Sequence, residues 1–146
     1  MTLPQALAIL VASVLCIAIH ASIMTIVVRV ARAVAARTAV RPTLLMIATM
    51  IAAVSVLMVA HVIEVAVWAS TYDIVGAAPE GADTLYFAFV NYTTLGYGDV
   101  IPVSGWRMLG PATAMCGVLM FGWSTAVIFE VLRKAMSYER VDTGQR

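Results

Sequence analysis

Three apolar stretches confine this chain to a membrane fold. They run from about Leu3 to Val30, Thr43 to Ala69 and Trp106 to Leu132. A spanning helix needs about 20 apolar residues. At 1.5 Å per residue each stretch makes a helix of roughly 40 Å, so tilted or protruding ends are expected. Composition agrees, with 62% hydrophobic and only 12% charged residues.

The nine basic residues are not scattered. Arg29, Arg32, Arg37 and Arg41 sit between the first and second stretches, and Arg133, Lys134, Arg140 and Arg146 follow the third. Only Arg107 lies elsewhere, whereas the segment from Ser70 to Gly105 carries Asp73, Glu80, Asp83 and Asp99. By the positive-inside rule the first connection and the tail face the cytoplasm, and the N-terminus and the acidic segment face outside. No basic region precedes the first stretch and no small-residue cleavage site follows it, so it reads as a retained helix. Cys16 and Cys116 both fall within spans and read as packing residues, not as a disulfide framework or a metal site. His20 and His61 lie in spans too. No Ser/His/Asp, Cys/His or metal-ligand constellation stands out, which argues against an enzyme and against a cofactor. The few basic residues are explained by topology, which leaves nucleic-acid binding without support.

Between the second and third stretches lies Thr93-Thr94-Leu95-Gly96-Tyr97-Gly98-Asp99. In a soluble protein Gly-Tyr-Gly-Asp would read as a turn; the apolar flanks argue otherwise. The run resembles the selectivity filter of potassium channels, Thr-Val-Gly-Tyr-Gly followed by Asp, with Leu95 where Val is usual. A cation leaving water must meet oxygens that replace its hydration shell, and in that family backbone carbonyls supply them. Such a strand needs residues that tolerate positive φ, which Gly96 and Gly98 provide. The resemblance implies K+ coordination by the carbonyls of Thr94, Leu95, Gly96 and Tyr97, with the Thr94 hydroxyl at the inner end. Tyr97 would point away as a spacer. Asp99 would stand at the outer mouth, bonding behind the filter or concentrating cations.

The same resemblance organises the chain as three parts. Residues 1–42 form an N-terminal transmembrane helix with a basic cytoplasmic linker. Residues 43–135 form the pore module, with outer helix 43–69, pore helix 83–93, filter 94–98 and inner helix 106–135. Residues 136–146 form a short cytoplasmic tail. Asp83 or Thr84 caps the pore helix, which is too short to span and therefore re-enters. Its negative C-terminal end would favour a cation in the central cavity. Tyr86, Phe87, Phe89 and Tyr92 would pack around the filter. In one bacterial relative a pore-helix Glu partners the filter Asp; here Val90 occupies that position, so that partnership is missing.

In the third span Gly117 and Gly122 are candidates for a gating hinge or for close helix packing. Thr113, Gly117, Met120, Phe121, Ser124 and Ile128 share a helical spacing and are candidates for a cavity-lining face. Glu130 reads either as a ring at the inner mouth or as a partner of Lys134. His61 and Glu64 sit three apart on the second span, where a carboxylate needs a partner. Candidate partners of Glu64 are His61, Asn91 and Arg107. The pair reads as a buried brace or as a proton-sensitive element.

The expected fold is an all-α membrane protein with three transmembrane helices, a re-entrant pore helix and a filter loop. One filter per chain cannot close a ring, so the resemblance implies a homotetramer. The expected function is passive K+ conduction across the cell (cytoplasmic) membrane, with membrane lipids as surroundings. Two alternatives stay open: a weakly selective cation channel, because of Leu95, and a non-conducting, proton-sensing accessory subunit. Arg29 and Arg32 are spaced by three but lie at the cytoplasmic end, so no dedicated voltage sensor is expected. The tail is too short for a folded ligand-binding domain. Peripheral packing is the expected role of the N-terminal helix.

Overall fold

A computed structural model of the chain describes residues 2–35 and 42–143. Arg37, Arg41 and Arg146 lie outside the described residues, as do the side chains of Lys134 and Arg140. Four helices follow in order: α1 (Leu3–Ala35), α2 (Pro42–Val75), α3 (Thr84–Tyr92) and α4 (Leu109–Thr143). No strand occurs among the described residues. Three of the helices, α1, α2 and α4, are long and apolar enough to cross a membrane. The nine residues of α3 rise only about 14 Å and cannot. The all-α membrane architecture expected from the sequence is the one observed.

The helix ends differ from the apolar boundaries. Where the hydropathy reading ends the second helix at Ala69, α2 continues through Ser70, Thr71 and Asp73 to Val75. It stops where Gly76 takes φ +62° and Ala77 N–H donates to Tyr72 C=O at 2.9 Å. That is a glycine-terminated Schellman cap. The fourth helix starts at Leu109, after a short 3-10 turn at Ser104–Trp106. Pro111 falls in its first turn, where the missing N–H has no intrahelical partner to lose.

Helix α1 packs on both α2 and α4, and α3 is held between α2 and α4. One buried cluster gathers Cys16, Trp68, Tyr72, Phe87, Tyr92 and Met120 around α3. A second joins Met24, Val27 and Ala31 to Ala53, Leu57 and Val131 at the other end. Lipid tails are as apolar as these side chains, so the association rests on packing and hydrogen bonding, not on expelled water. Hydroxyls facing outward are satisfied within their own helix: Ser22 donates to Ala18 C=O at 2.7 Å and Thr25 to Ala21 C=O at 2.8 Å. The same contacts set the polarity of the bundle. Gln5, at the start of α1, donates to the Gly105 carbonyl beside the 3-10 turn. Ala31, near Arg29 and Arg32, packs with Val131, near Arg133. The described arginines of α1 and the end of α4 therefore share one end, away from α3 and Asp99.

Candidate functional site

Helix α3 is built to stop abruptly and hand the chain to the Thr93–Asp99 segment. Asp83 is the N-cap, its carboxylate accepting from Leu85 N–H at 3.0 Å and Tyr86 N–H at 3.1 Å. The Thr84 hydroxyl donates to Asp73 Oδ2 at 3.1 Å, tying the start of α3 to the last turn of α2. At the far end Thr94 N–H donates to Asn91 C=O (3.0 Å) and Leu95 N–H to Val90 C=O (2.9 Å). The last carbonyls of the helix therefore anchor the segment that follows it.

Beyond that anchor every second residue is left-handed. Thr94, Gly96 and Gly98 have φ of 60°, 63° and 79°, whereas Leu95 and Tyr97 keep negative φ. Alternation in the sign of φ is what a segment needs if its successive carbonyls are to line one side. Glycine takes such angles freely, and the sequence points to Gly96 and Gly98. Thr94 is the surprise, since a β-branched residue at positive φ is strained. Its neighbours hold it there through the two hydrogen bonds to α3. In the single chain the segment is open, with Leu95 52% and Tyr97 69% exposed.

Asp99 has a partner that the sequence reading missed. The Tyr86 hydroxyl donates to Asp99 Oδ2 at 2.7 Å, from one helical turn N-terminal to Val90, the position at which the comparison with the bacterial relative looks for a carboxylate. That hydroxyl holds the Asp99 carboxyl below its ordinary range, and Asp99 in turn raises the Tyr86 phenol. A carboxyl with a lowered pKa keeps its bond above the ordinary carboxylate range and loses it only as pH falls through the lowered value. Tyr86→Phe should therefore move Asp99 protonation up toward the ordinary carboxylate range. Titrating Asp99 by NMR in both proteins checks this, and an unchanged midpoint would remove Tyr86 as its partner.

Behind the segment lies a buried polar cluster joining all four helices. His61 and Glu64 share one face of α2, and α1 adds His20. Its Nδ1 lies 2.7 Å from Glu64 Oε1, and His61 Nδ1 lies 3.3 Å from Oε2. Tyr92, the last residue of α3, donates its hydroxyl to Glu64 Oε2. His61 Nδ1 is also 3.0 Å from the Tyr92 oxygen. On α4, Ser124 Oγ stands 3.0 Å from His61 Nε2 and 3.4 Å from His20 Nε2. Of the partners expected for Glu64, His61 is present and neither Asn91 nor Arg107 is. Asn91 instead donates to the Tyr72 hydroxyl at 3.3 Å, which bonds Thr113 at 2.6 Å. His20 escaped the sequence reading because it is 44 residues from Glu64. Its signal was an ionisable side chain in an apolar span, which requires a partner. No metal-ligand constellation is visible in the sequence, but the fold brings His20 of α1 together with His61 and Glu64 of α2 as a group whose ligand atoms lie within 4.8 Å of one another.

The glycines of α4 separate. A methyl group on Gly117 would stand 2.0 Å from the Tyr92 carbonyl oxygen and 2.9 Å from its carbon, whereas at Gly122 nothing lies within 4 Å. Four of the six residues expected on a cavity-lining face are corrected, while Phe121 is exposed and Ile128 half-buried. Thr113, Gly117, Met120 and Ser124 are buried inside this chain's own core, against α1, α2 and α3. Phe121 stacks on His61, with ring centroids 4.6 Å apart. The face of α4 left open carries Met115, Leu119, Gly122 and Ala126. A helix apolar on all sides gives no phase from sequence, hence the miss. Glu130 bonds Arg133 at 2.6 Å; its expected partner Lys134 has its side chain outside the described residues.

Comparison with known proteins supports the same stretch. A family model described as "Ion channel" matches residues 60–134, just over half of the 146 residues. A protein of Rhodopseudomonas palustris named "Putative potassium channel protein" is 38% identical over 47 residues. That alignment takes in 32% of this chain, and the chain spans 11% of the relative's length. No solved structure matches the chain significantly.

Proposed function

This chain belongs to the ion channel family, and on that basis we propose that it conducts K+ passively through a pore shared by four copies. The observation that carries this reading is the alternation of φ at Thr94, Gly96 and Gly98. Carbonyls of Thr94, Leu95, Gly96 and Tyr97 aligned on one side of a strand offer a desolvated cation the oxygens it lost. One such strand covers one side of an ion. Four copies around an axis complete the cage, and the openness of Leu95 and Tyr97 in the single chain accords with neighbouring copies packing around the segment. Asp99 then stands at the outer mouth, held by Tyr86. Met115, Leu119, Gly122 and Ala126 become the stripe that α4 turns to the axis or to a neighbouring subunit. The charge pattern supports a cytoplasmic end at Arg29, Arg32 and Arg133, with the N-terminus outside and the protein in the cell membrane. Lipid tails meet the apolar outer faces of α1 and α2.

Reconstitution in a planar bilayer with K+ on one side and Na+ on the other tests the proposal. A reversal near the K+ equilibrium potential is the expected result. A reversal near zero with clear single-channel steps would replace it by a weakly selective pore, with Leu95 as the first suspect. Gly96→Ala should abolish the current, because a Cβ at φ +63° costs about 1–2 kcal/mol in each copy. Unaltered current in that variant would remove the segment from the conduction path.

A further inference from the structure

Conduction through the Thr94–Gly98 segment does not use the buried cluster behind it. We propose that His20, His61 and Glu64, with the Tyr92 oxygen as fourth donor, form a site for a divalent transition-metal ion of the zinc class. The ion would clamp α1 to the rest of the bundle. The proposal goes beyond the channel reading and does not rest on it.

The donor set suits such an ion. Two imidazoles and a carboxylate are zinc ligands, and a fourth oxygen closes a tetrahedral site. One ligand atom from each of His20, His61 and Glu64 lies within 4.8 Å of the others. Around a tetrahedral ion with bonds of about 2.0–2.1 Å, donors stand about 3.3 Å apart. The separations are 2.7 Å from His20 Nδ1 to Glu64 Oε1, 3.3 Å from His61 Nδ1 to Glu64 Oε2 and 3.0 Å from His61 Nδ1 to the Tyr92 oxygen, the two carboxylate oxygens facing one histidine each. Movements of about an ångström would admit the ion. His20 and Glu64 are fully buried, so the ligands need no further ordering by solvent-exposed loops.

Ser124 supplies the second observation. Its hydroxyl faces the Nε2 atoms of both histidines. With both imidazoles neutral and donating from Nδ1 to the oxygens in front of them, both Nε2 atoms are acceptors and compete for one Ser124 proton. With both Nδ1 atoms on a metal, both Nε2 atoms carry N–H and donate to the two lone pairs of the Ser124 oxygen. That is the outer-shell arrangement that orients ligating histidines. Charge also closes. A divalent ion, the Glu64 carboxylate and an ionised Tyr92 sum to zero, which suits a site surrounded by apolar side chains. Tyr92 loses its proton to solvent on binding, so affinity falls as pH falls. The other titratable groups facing the cluster are two thiols, Cys16 of α1 and Cys116 of α4; Cys16 donates to the Glu64 carbonyl oxygen at 3.8 Å.

The test is metal content, independent of current. Full-length protein is stripped with chelator, incubated with Co2+ or Zn2+, desalted and measured by mass spectrometry and visible absorption. One Co2+ per chain, with the ligand-field band of a tetrahedral ion and displacement by Zn2+, is expected. His20→Ala should weaken Co2+ binding by more than about 100-fold. Ser124→Ala should weaken it by about 10–100-fold while keeping the band. Wild-type protein that retains no metal would overturn the proposal and leave a network closed by a shared proton. Retention of full metal in a His20→Ala/His61→Ala variant would place the ion elsewhere and overturn it equally. Because the wild type carries the first readout, a variant that fails to fold leaves the answer standing. Zn2+ should also raise the thermal midpoint of the wild type and not that of His20→Gln.

Discussion

Gly117→Ala is expected to silence the protein and to destabilise it by at least about 1–3 kcal/mol, the ordinary penalty for forcing atoms into a filled core. The added methyl would meet the carbonyl oxygen of Tyr92 at 2.0 Å. That oxygen belongs to backbone at the end of α3, so no flexible side chain can swing away. Either α4 withdraws from α3 or the end of α3 shifts. Leu95 hangs from the carbonyl of Val90 in the same helical turn, so the displacement passes straight into the Thr93–Asp99 segment. Thermal unfolding and bilayer recording of the variant check both effects. Gly122→Ala is the control for packing within the chain, since there its methyl meets nothing within 4 Å and exchanging Gly for Ala favours a helix by about 1 kcal/mol. A hinge or a subunit contact at Gly122 predicts altered opening in that control without loss of stability, whereas a packing role at Gly117 alone predicts an ordinary channel.

Glu64→Ala should cost about 3–5 kcal/mol, as breaking a buried ionic network from one side does. The carboxylate bonds His20, His61 and Tyr92, and its removal leaves His20 Nδ1 without its partner where water does not reach, with His61 Nδ1 and the Tyr92 hydroxyl left only to each other. The loss should appear as a lowered thermal midpoint in chelator-treated protein. Replacing His20, His61 and Glu64 together by apolar residues of similar volume, in a Tyr92→Phe/Ser124→Ala background that removes the two hydroxyls they bond, should recover most of it, because no polar group of the cluster then remains unpaired. If the combined variant is as unstable as Glu64→Ala, packing volume and not hydrogen bonding governs the site.

The parts legible in the sequence are those written in local pattern. Long apolar runs mark α1, α2 and α4, and the Thr94–Gly98 motif with Asp83 eleven residues before Thr94 marks a short capped helix and the glycine-containing segment that follows it. Helix ends were less legible, because α2 runs six residues past its last apolar turn and ends at a glycine cap, not at a change of hydropathy. The orientation of α4 was illegible, since Thr113, Gly117 and Ser124 are small residues on a helix apolar all round, and only their neighbours show that they face inward. Tertiary partners were invisible for the same reason. Nothing near His20 or Tyr92 in the chain announces that they converge on Glu64, and nothing near Tyr86 announces Asp99. The left-handed Thr94 could not be foreseen from residue type, because its conformation is imposed by the two hydrogen bonds to α3.

The attachment of α1 through His20 bears on how far the pore segment can be exchanged between proteins. The matched family region starts at residue 60 and so includes His61 and Glu64 but not the side chain that completes them. A chimera that grafts residues 43–135 into another channel would import a carboxylate whose counterpart stays behind. Such a graft should assemble poorly until Glu64 is made apolar or a histidine is supplied at the depth of His20. The first helix is thus less an ornament on a portable pore than part of its specification, and swaps designed at the family boundary will cut through it.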